Sequence, residues 1–465
     1  MRARISSRCV AEGDPTPAPR SYALQPVRFA VKFLGCKVSQ ADAMLARRQL
    51  LAAGHEEVSE AEAELHVINT CCITGEAEAK SRQSVRRSLK TAPEVFVGGC
   101  AVNLRPTQFA EIDPAVQVFT GTAEEVAAAM AITKPHAQSA TSACVDLEHD
   151  LLIRQSGRTA PTGGRPNAWS GTRTRGFVKV QDGCDCHCAY CIIPTVRGSA
   201  RSRAASAVLN EVERRVAQDQ REMVMTGISV GDYRDPERGL DLGELLVEAA
   251  RVPGVERVRI SSIEVIHVKD SLMAALRDEP KVCPHLHVPL QSGDDEVLAA
   301  MRRHYTAAEY LDAIRALRAA VPRINLTTDV IVGFPNEDEA AFENTLDLVK
   351  VAGISRVHTF QYSSRPGTAA EALGDRVPAE EKKRRSQAMR GLSEVRSRHH
   401  RTAKLAGTER VLVDKVADTK CAGYSDDYTR CYLPAGAAAA GELIDATVAE
   451  LHADGLLVTP CADPG

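Results

Sequence analysis

Three cysteines, Cys184, Cys188 and Cys191, stand in a C-x3-C-x2-C run with Tyr190 just before the last of them. Three thiolates can hold three irons of a cubane cluster and leave the fourth iron free, unlike the four-cysteine closure of an electron-transfer ferredoxin. An open iron can bind a substrate. A structural zinc loop is the plain alternative, but a closed zinc site needs four ligands, usually as two separated pairs. Cys186 and His187 are packed too tightly between the three to serve the same tetrahedral ion. A second set is dispersed: Cys36 in Leu34-Gly35-Cys36-Lys37, Cys71 in Asn69-Thr70-Cys71-Cys72 and Cys100 in Gly98-Gly99-Cys100-Ala101. Each follows a predicted strand directly, so in a parallel sheet the three loops share one edge and can converge. Buried thiols are the ordinary explanation of such cysteines. Three strand ends, two of them beside glycine, argue for a second three-cysteine site.

The elements that must carry these loops can be read from periodicity. From Val27 to about Ala131, β-rich runs (Val27–Leu34, Leu65–Ile68, Val95–Val97, Val116–Phe119) alternate with helical stretches such as Gln40–Ala53 and Glu76–Lys90. That rhythm predicts an α/β domain with a largely parallel sheet over residues 27–132. Residues 133–172 fill with Gly, Pro, Ser, Thr and Arg around the single tryptophan, Trp169, and read as a linker. Residues 1–26 read as a disordered extension. Within residues 173–400 a second series predicts strands at Gly176–Val180, Glu222–Met225, Arg257–Ser261, Leu286–Val288, Ile324–Val332 and Arg356–Gln361. Six such units suit an open (β/α)6 barrel better than a flat doubly wound sheet, and place the Cys184–Cys191 loop at its C-terminal mouth. Thr226-Gly227, Glu264, Gln291, Asp329 and Gly333 close further strands and should point into that mouth. Residues 401–465, after a helix over Ala379–Lys404, predict a small β-barrel.

The chain has 465 residues, enough for about three domains with cores that need no disulfide staples. No apolar run is long enough to cross a bilayer, and the first residues lack the apolar centre of a signal peptide, which predicts a cytoplasmic protein with no membrane partner. Fourteen cysteines in such a chain are metal ligands, redox groups or buried thiols rather than disulfides. Net charge is −3, so any nucleic-acid contact must come from local basic patches. The helix Ala379–Lys404 carries one, with Lys382, Arg385, Arg398 and Arg401 as the expected phosphate contacts. A solvated helical face is the commoner reading of such a run.

The stretch Val180–Arg203 resembles the radical-SAM superfamily, its methylthiotransferase branch in particular. The three dispersed cysteine motifs resemble the N-terminal domain of that branch, and the likeness covers about Arg28–Leu433. It implies two 4Fe-4S clusters, one on Cys184, Cys188 and Cys191 and an auxiliary one on Cys36, Cys71 and Cys100, with Cys72 a neighbour. It also implies S-adenosylmethionine chelating the open iron through its amino and carboxylate groups, in a pocket formed by Tyr190, Thr226, Gly227, Glu264, Gln291, Asp329 and Gly333. Two departures stand out: Ser39 where the first motif usually has Asn, and Asn336 where Gly usually follows Phe-Pro. The tail resembles a degenerate RNA-binding TRAM barrel, and Gly423–Tyr428 resembles the threonylcarbamoyladenosine-tRNA subgroup. The implied activity is methylthiolation of C2 of N6-threonylcarbamoyladenosine at position 37, in the tRNA anticodon loop. S-adenosylmethionine would be both methyl donor and radical source, with an electron donor such as flavodoxin or ferredoxin. Within the branch the rivals act on isopentenyl-adenosine tRNA or on a ribosomal-protein aspartate. Outside it, the rival is a non-catalytic metal-containing RNA-binding protein, which would yield no 5′-deoxyadenosine on reduction.

Overall fold

The computed structural model describes residues 26–133, 174–417 and 420–461. The expected N-terminal extension and linker lie outside the described residues, apart from Pro26 and Thr133. Five strands, β1 (Arg28–Phe33), β2 (Glu56–Glu57), β3 (Leu65–Thr70), β4 (Glu94–Gly99) and β5 (Val116–Val118), form a sheet in the order β2-β1-β3-β4-β5. Every pairing in it is parallel. Its central strands are buried on both faces, which explains their near-continuous apolar sequence. One face packs Phe29, Leu65 and Phe96 against Leu50, Val126 and Met130 of two helices. The other packs Ile68, Val95 and Val97 against Ile192, Ile193 and Val196, which follow the Cys191 loop. The second domain therefore completes the core of the first.

The barrel strands are β6 (Arg175–Lys179), a short antiparallel pair β7 (Gln181–Asp182) and β8 (Arg201–Ser202), then β9 (Glu222–Thr226), β10 (Arg257–Ile260), β11 (His285–His287), β12 (Asn325–Val332) and β13 (Arg356–Gln361). They form two three-stranded parallel sheets, β10-β9-β6 and β11-β12-β13. The sheets meet where Val258 bridges Val282 and the Cys283 N–H donates to Val258 O at 2.9 Å. The outer helices close over an apolar shell that includes Val178, Met223, Val258 and Leu326. Period-two alternation turns Arg175, Glu222, Arg259, His285, His287, Thr327 and Asp329 to the inside. This lumen is polar, whereas a (β/α)8 barrel is usually filled by Val, Ile and Leu.

Five further strands, β14 (Thr408–Ala417), β15 (Lys420–Ser425), β16 (Arg430–Pro434), β17 (Leu443–His452) and β18 (Gly455–Pro460), close a small barrel in the order β14-β15-β16-β18-β17. Its Tyr424–Tyr428 segment inserts beneath the large barrel, at the N-terminal ends of the strands. Arg257 donates to Tyr424 O at 3.1 Å and to Asp426 Oδ1 at 2.9 Å, and Arg259 donates to Asp426 O at 2.9 Å. Asn325 Nδ2 donates to Asp427 O at 2.8 Å, and the rings of His285 and Tyr428 lie 5.1 Å apart.

Candidate functional site

The three dispersed cysteines meet on the C-terminal edge of the first sheet. Cys36 caps the N-terminus of the helix Lys37–Ala52 and is exposed, while Cys71 and Cys100 are buried. Gly35 has φ +110°, and a Cβ there would lie 2.7 Å from Cys71 Sγ, so only glycine lets the first loop come this close to the second. Ser81 fixes the Cys71 loop from both sides: its Oγ accepts from Cys71 N–H and donates to Cys71 O, each at 3.1 Å. Cys71 lies within electrostatic reach of both Cys36 and Cys100. Ser39, the departure in the first motif, is buried with its Oγ 3.7 Å from Cys36 Sγ, and its carbonyl accepts from Asn69 Nδ2 at 2.7 Å. A short polar side chain is thus kept beside the Cys36 loop. Burial pushes the Cys71 thiol up to about 11; Cys100 is pulled down to about 7, first by the Cys72 thiol bonded to it and then by Arg197.

The second triad lies in the loop after β7. Cys184, Cys188 and Cys191 are half-buried, and the loop is held by bonds from Cys184 N–H to Gly198 O at 3.2 Å and from Cys191 N–H to Cys188 O at 3.0 Å. Cys186 donates its backbone N–H to Cys184 Sγ at 3.4 Å. Hydrogen bonding from Cys186 brings the Cys184 thiol down to about 7, while burial drives Cys191 up to about 12. Arg303 donates to Cys188 Sγ at 3.2 Å, pairs with Glu264 and bonds the Tyr305 hydroxyl at 3.1 Å. Tyr190 packs with the Phe334 and Tyr362 cluster.

Among the described residues, no three His, Cys, Asp or Glu side chains are gathered around a point that would suit a single metal ion, the arrangement zinc requires. A cubane takes one thiolate at each of three corner irons, and one cysteine from each of three loops fits that demand. The Cys184–Cys191 loop fits it equally. Above this loop, Thr226 Oγ1 and Ser261 Oγ, at the ends of β9 and β10, are buried without a hydrogen-bond partner among the described residues, as donors and acceptors reserved for a ligand would be. Gly227 approaches the β7 backbone closely, and Gln181 Oε1 accepts from the N–H groups of Ile228 at 3.1 Å and Ser229 at 2.8 Å. Gln291 adopts φ +65° while donating its N–H to Asp329 O at 2.8 Å. The Asp329 carboxylate accepts from His287 Nε2 at 3.0 Å. Gly333, in contrast, abuts the Lys382 side chain and donates its N–H to Glu337 at 2.8 Å, a packing role.

Sequence reasoning missed the group that joins the two triads. Lys179 Nζ lies 2.8 Å from Asp42 and 3.2 Å from Asp182, and Arg197 bonds Asp42 at 2.8 Å, Asp182 at 3.0 Å and Cys100 Sγ at 3.1 Å. Despite burial, Lys179 and Arg197 hold the Asp182 carboxyl below its ordinary range. One guanidinium thus touches a cysteine of the first triad while anchoring the loop of the second. The available signal was position: Asp182 and Arg197 flank the cysteine run.

The expected RNA contacts need correction. Lys382 is buried and pairs with Asp375, Arg385 is buried against Glu337 at 2.7 Å, and Arg401 is buried beside Glu394 at 3.1 Å. Lys382 and Arg385 dock the helix Ala379–Thr402 onto the loops beneath it, through Tyr362 O and Asp375 and through Glu337, while Arg401 pairs within the helix itself. Of the four, Arg398 is exposed, and Lys383 and Arg390 are exposed on the same helix.

A six-stranded open barrel carrying a three-cysteine loop at its mouth defines a radical-SAM fold. Residues 178–349 match the Radical SAM superfamily, and residues 28–121 match a family described as uncharacterized protein family UPF0004. The threonylcarbamoyladenosine tRNA methylthiotransferase MtaB of Chlamydia pneumoniae is 33% identical over 436 residues, covering 92% of this chain and 97% of that protein. The protein of the same name from Thermotoga maritima is 33% identical, covering 86% and 90%. The tRNA-2-methylthio-N(6)-dimethylallyladenosine synthase of Alkalilimnicola ehrlichii is 32% identical, covering 83% and 86%. Among solved structures, the radical S-adenosylmethionine methyltransferase TsrM of Kitasatospora setae shares the fold, with a TM-score of 0.52, 13% identity and coverage of 75% and 74%. The chain belongs to the tRNA methylthiotransferase family of radical-SAM proteins. No described helix is long and apolar enough to cross a membrane.

Proposed function

We propose that this protein methylthiolates C2 of N6-threonylcarbamoyladenosine at position 37 of tRNA, with S-adenosylmethionine as methyl donor and radical source. The observation that carries this reading is the facing of two cysteine triads across one interface, tied by Arg197. Cys184, Cys188 and Cys191 would hold one 4Fe-4S cluster, and Cys36, Cys71 and Cys100 the auxiliary one. Bound there, the clusters and S-adenosylmethionine supply one-electron chemistry for a C–H bond too strong for base catalysis, and a sulfur for methyl transfer.

The chain's own residues position and shield. Arg303 and Arg197 donate to the sulfurs of Cys188 and Cys100, and so favour the thiolate that an iron ligand must be. Gln181 pins the Gly227 loop to the cysteine loop, so the two sides of the mouth keep their spacing. The target base must leave its stack to enter, which costs least in a single-stranded loop. Exposed Lys383, Arg390 and Arg398 hold phosphates of the anticodon arm, and a small redox protein of the flavodoxin or ferredoxin type delivers the electron.

Anaerobically reconstituted wild type should carry about eight irons, cleave S-adenosylmethionine to 5′-deoxyadenosine and methylthiolate threonylcarbamoylated tRNA. A Cys184→Ala, Cys188→Ala, Cys191→Ala variant should retain about four irons and release no 5′-deoxyadenosine. Bound zinc with no cleavage by the wild type would overturn the reading. Methylthiolation of dimethylallyladenosine tRNA in place of the threonylcarbamoyl substrate would move the activity to the sister group.

A further inference from the structure

Among the described residues, the polar lumen contains one cation with no anion of its own. Lys37 follows Cys36 directly, and its side chain enters the barrel, where the ammonium lies 5.7 Å from the centre of the Tyr428 ring. Around it stand Arg175, Arg259 and Glu222, with His285 and His358 also within electrostatic reach. The acids there are already taken. Glu222 is bonded by Arg257 at 2.7 Å and by Arg259 at 2.9 Å, and Asp329 by His287 at 3.0 Å. The remaining arginine, Arg175, has Asp414 at 3.2 Å. Among the described residues no oxygen accepts a hydrogen bond from Lys37, although a partly buried ammonium ordinarily finds one. The site is therefore short of one negative charge, beside a cysteine of the auxiliary triad.

We infer that Lys37 is a specificity-determining residue that binds the free carboxylate of the substrate's N6 arm. The inference rests on the function proposed above. The threonylcarbamoyl group ends in a carboxylate, whereas a dimethylallyl group at the same nitrogen has none, so a lone ammonium in the lumen rewards the first and is left unpaired by the second. A carboxylate could also come from S-adenosylmethionine, and the test separates the two sources.

The experiment uses the reconstituted enzyme and two anticodon stem-loops, one with threonylcarbamoyladenosine and one whose threonine carboxylate is replaced by an alcohol. With wild type, loss of the carboxylate should raise KM about 10- to 100-fold with a smaller change in kcat, the range of a charged hydrogen bond. Lys37→Gln should raise KM by a similar factor for the acid substrate and leave the alcohol substrate within about 3-fold, while Lys37→Arg restores much of the loss. Equal KM values for acid and alcohol with wild type would overturn the inference and leave the proposed function standing. So would a Lys37→Gln effect that appears in KM for S-adenosylmethionine and is the same for both stem-loops. A wild type that cleaves S-adenosylmethionine but never modifies the threonylcarbamoyl stem-loop would overturn the proposed function and this inference together.

Discussion

Replacing Arg197 by leucine removes the joint between the two halves of the site. Its guanidinium bonds Asp42, Asp182 and Cys100 Sγ, and the side chains of Arg197, Asp42 and Asp182 are each only 6% exposed. Removing one partner of a buried ion pair costs about 3–5 kcal/mol, because the other charge is left uncompensated. Lys179 remains bonded to both carboxylates, so the loss belongs near about 3 kcal/mol, roughly a hundredfold in the folded-to-unfolded ratio. Urea unfolding of the metal-free protein, with linear extrapolation, measures it. The pH dependence gives a second handle. The Asp182 carboxyl is lowered in the folded state, so its stabilisation is present above the ordinary carboxylate range near about pH 4 and is lost as pH falls through the lowered value. Lys179 is raised, so its contribution is complete below about pH 10 and is lost as pH rises through the raised value. The gap between wild type and variant should be flat from about pH 5 to 6, shrink toward acid, and widen above neutral pH, where the Cys100 thiol that Arg197 helps hold below its ordinary value ionises. A loss below about 1 kcal/mol, or a gap that widens in acid, would refute the assignment of a buried three-way joint.

Gly35→Ala places a methyl group 2.7 Å from Cys71 Sγ at a backbone angle alanine rarely adopts, so iron content should fall by up to about four atoms while 5′-deoxyadenosine release persists. Iron analysis beside the cleavage assay checks it, and full iron loading would contradict the close-approach argument. Arg398→Ala should weaken tRNA binding and reduce its salt slope by about one, whereas Lys382→Ala should lower the melting temperature and leave that slope unchanged. Binding titrations at several salt concentrations decide between them.

Each of the six barrel strands read from periodicity overlaps an observed one, for example Gly176–Val180 with Arg175–Lys179 and Leu286–Val288 with His285–His287. Apolar runs and turn residues are local, and so is the rule that loops after parallel strands share an edge, which brought Cys36, Cys71 and Cys100 together on paper. The Asp42–Lys179–Arg197 group was not legible, because it exists only where two domains dock and its members are 137 and 155 residues apart. The basic helix was misread for a related reason. Nine cations in one segment look alike in sequence, and which of them turn inward is decided by acids such as Glu337 that lie on other elements. Strands as short as β2, β7 and β8 carry too few residues to show a period.

The insertion of Tyr424–Tyr428 beneath the large barrel makes the small barrel a stopper. With the first domain joined to the barrel beside its mouth through Asp42 and Lys179, and this segment under the floor, the lower end of the lumen is closed by a part of the chain remote in sequence from the barrel itself. A carbon-centred radical is quenched by dioxygen or by a stray hydrogen donor far faster than an ordinary enzyme intermediate decays. A chain cut after the helix Ala379–Thr402 would therefore keep all six cysteines and yet leave an open shaft below the reacting atoms, so the tail guards the yield of each radical as well as the fold.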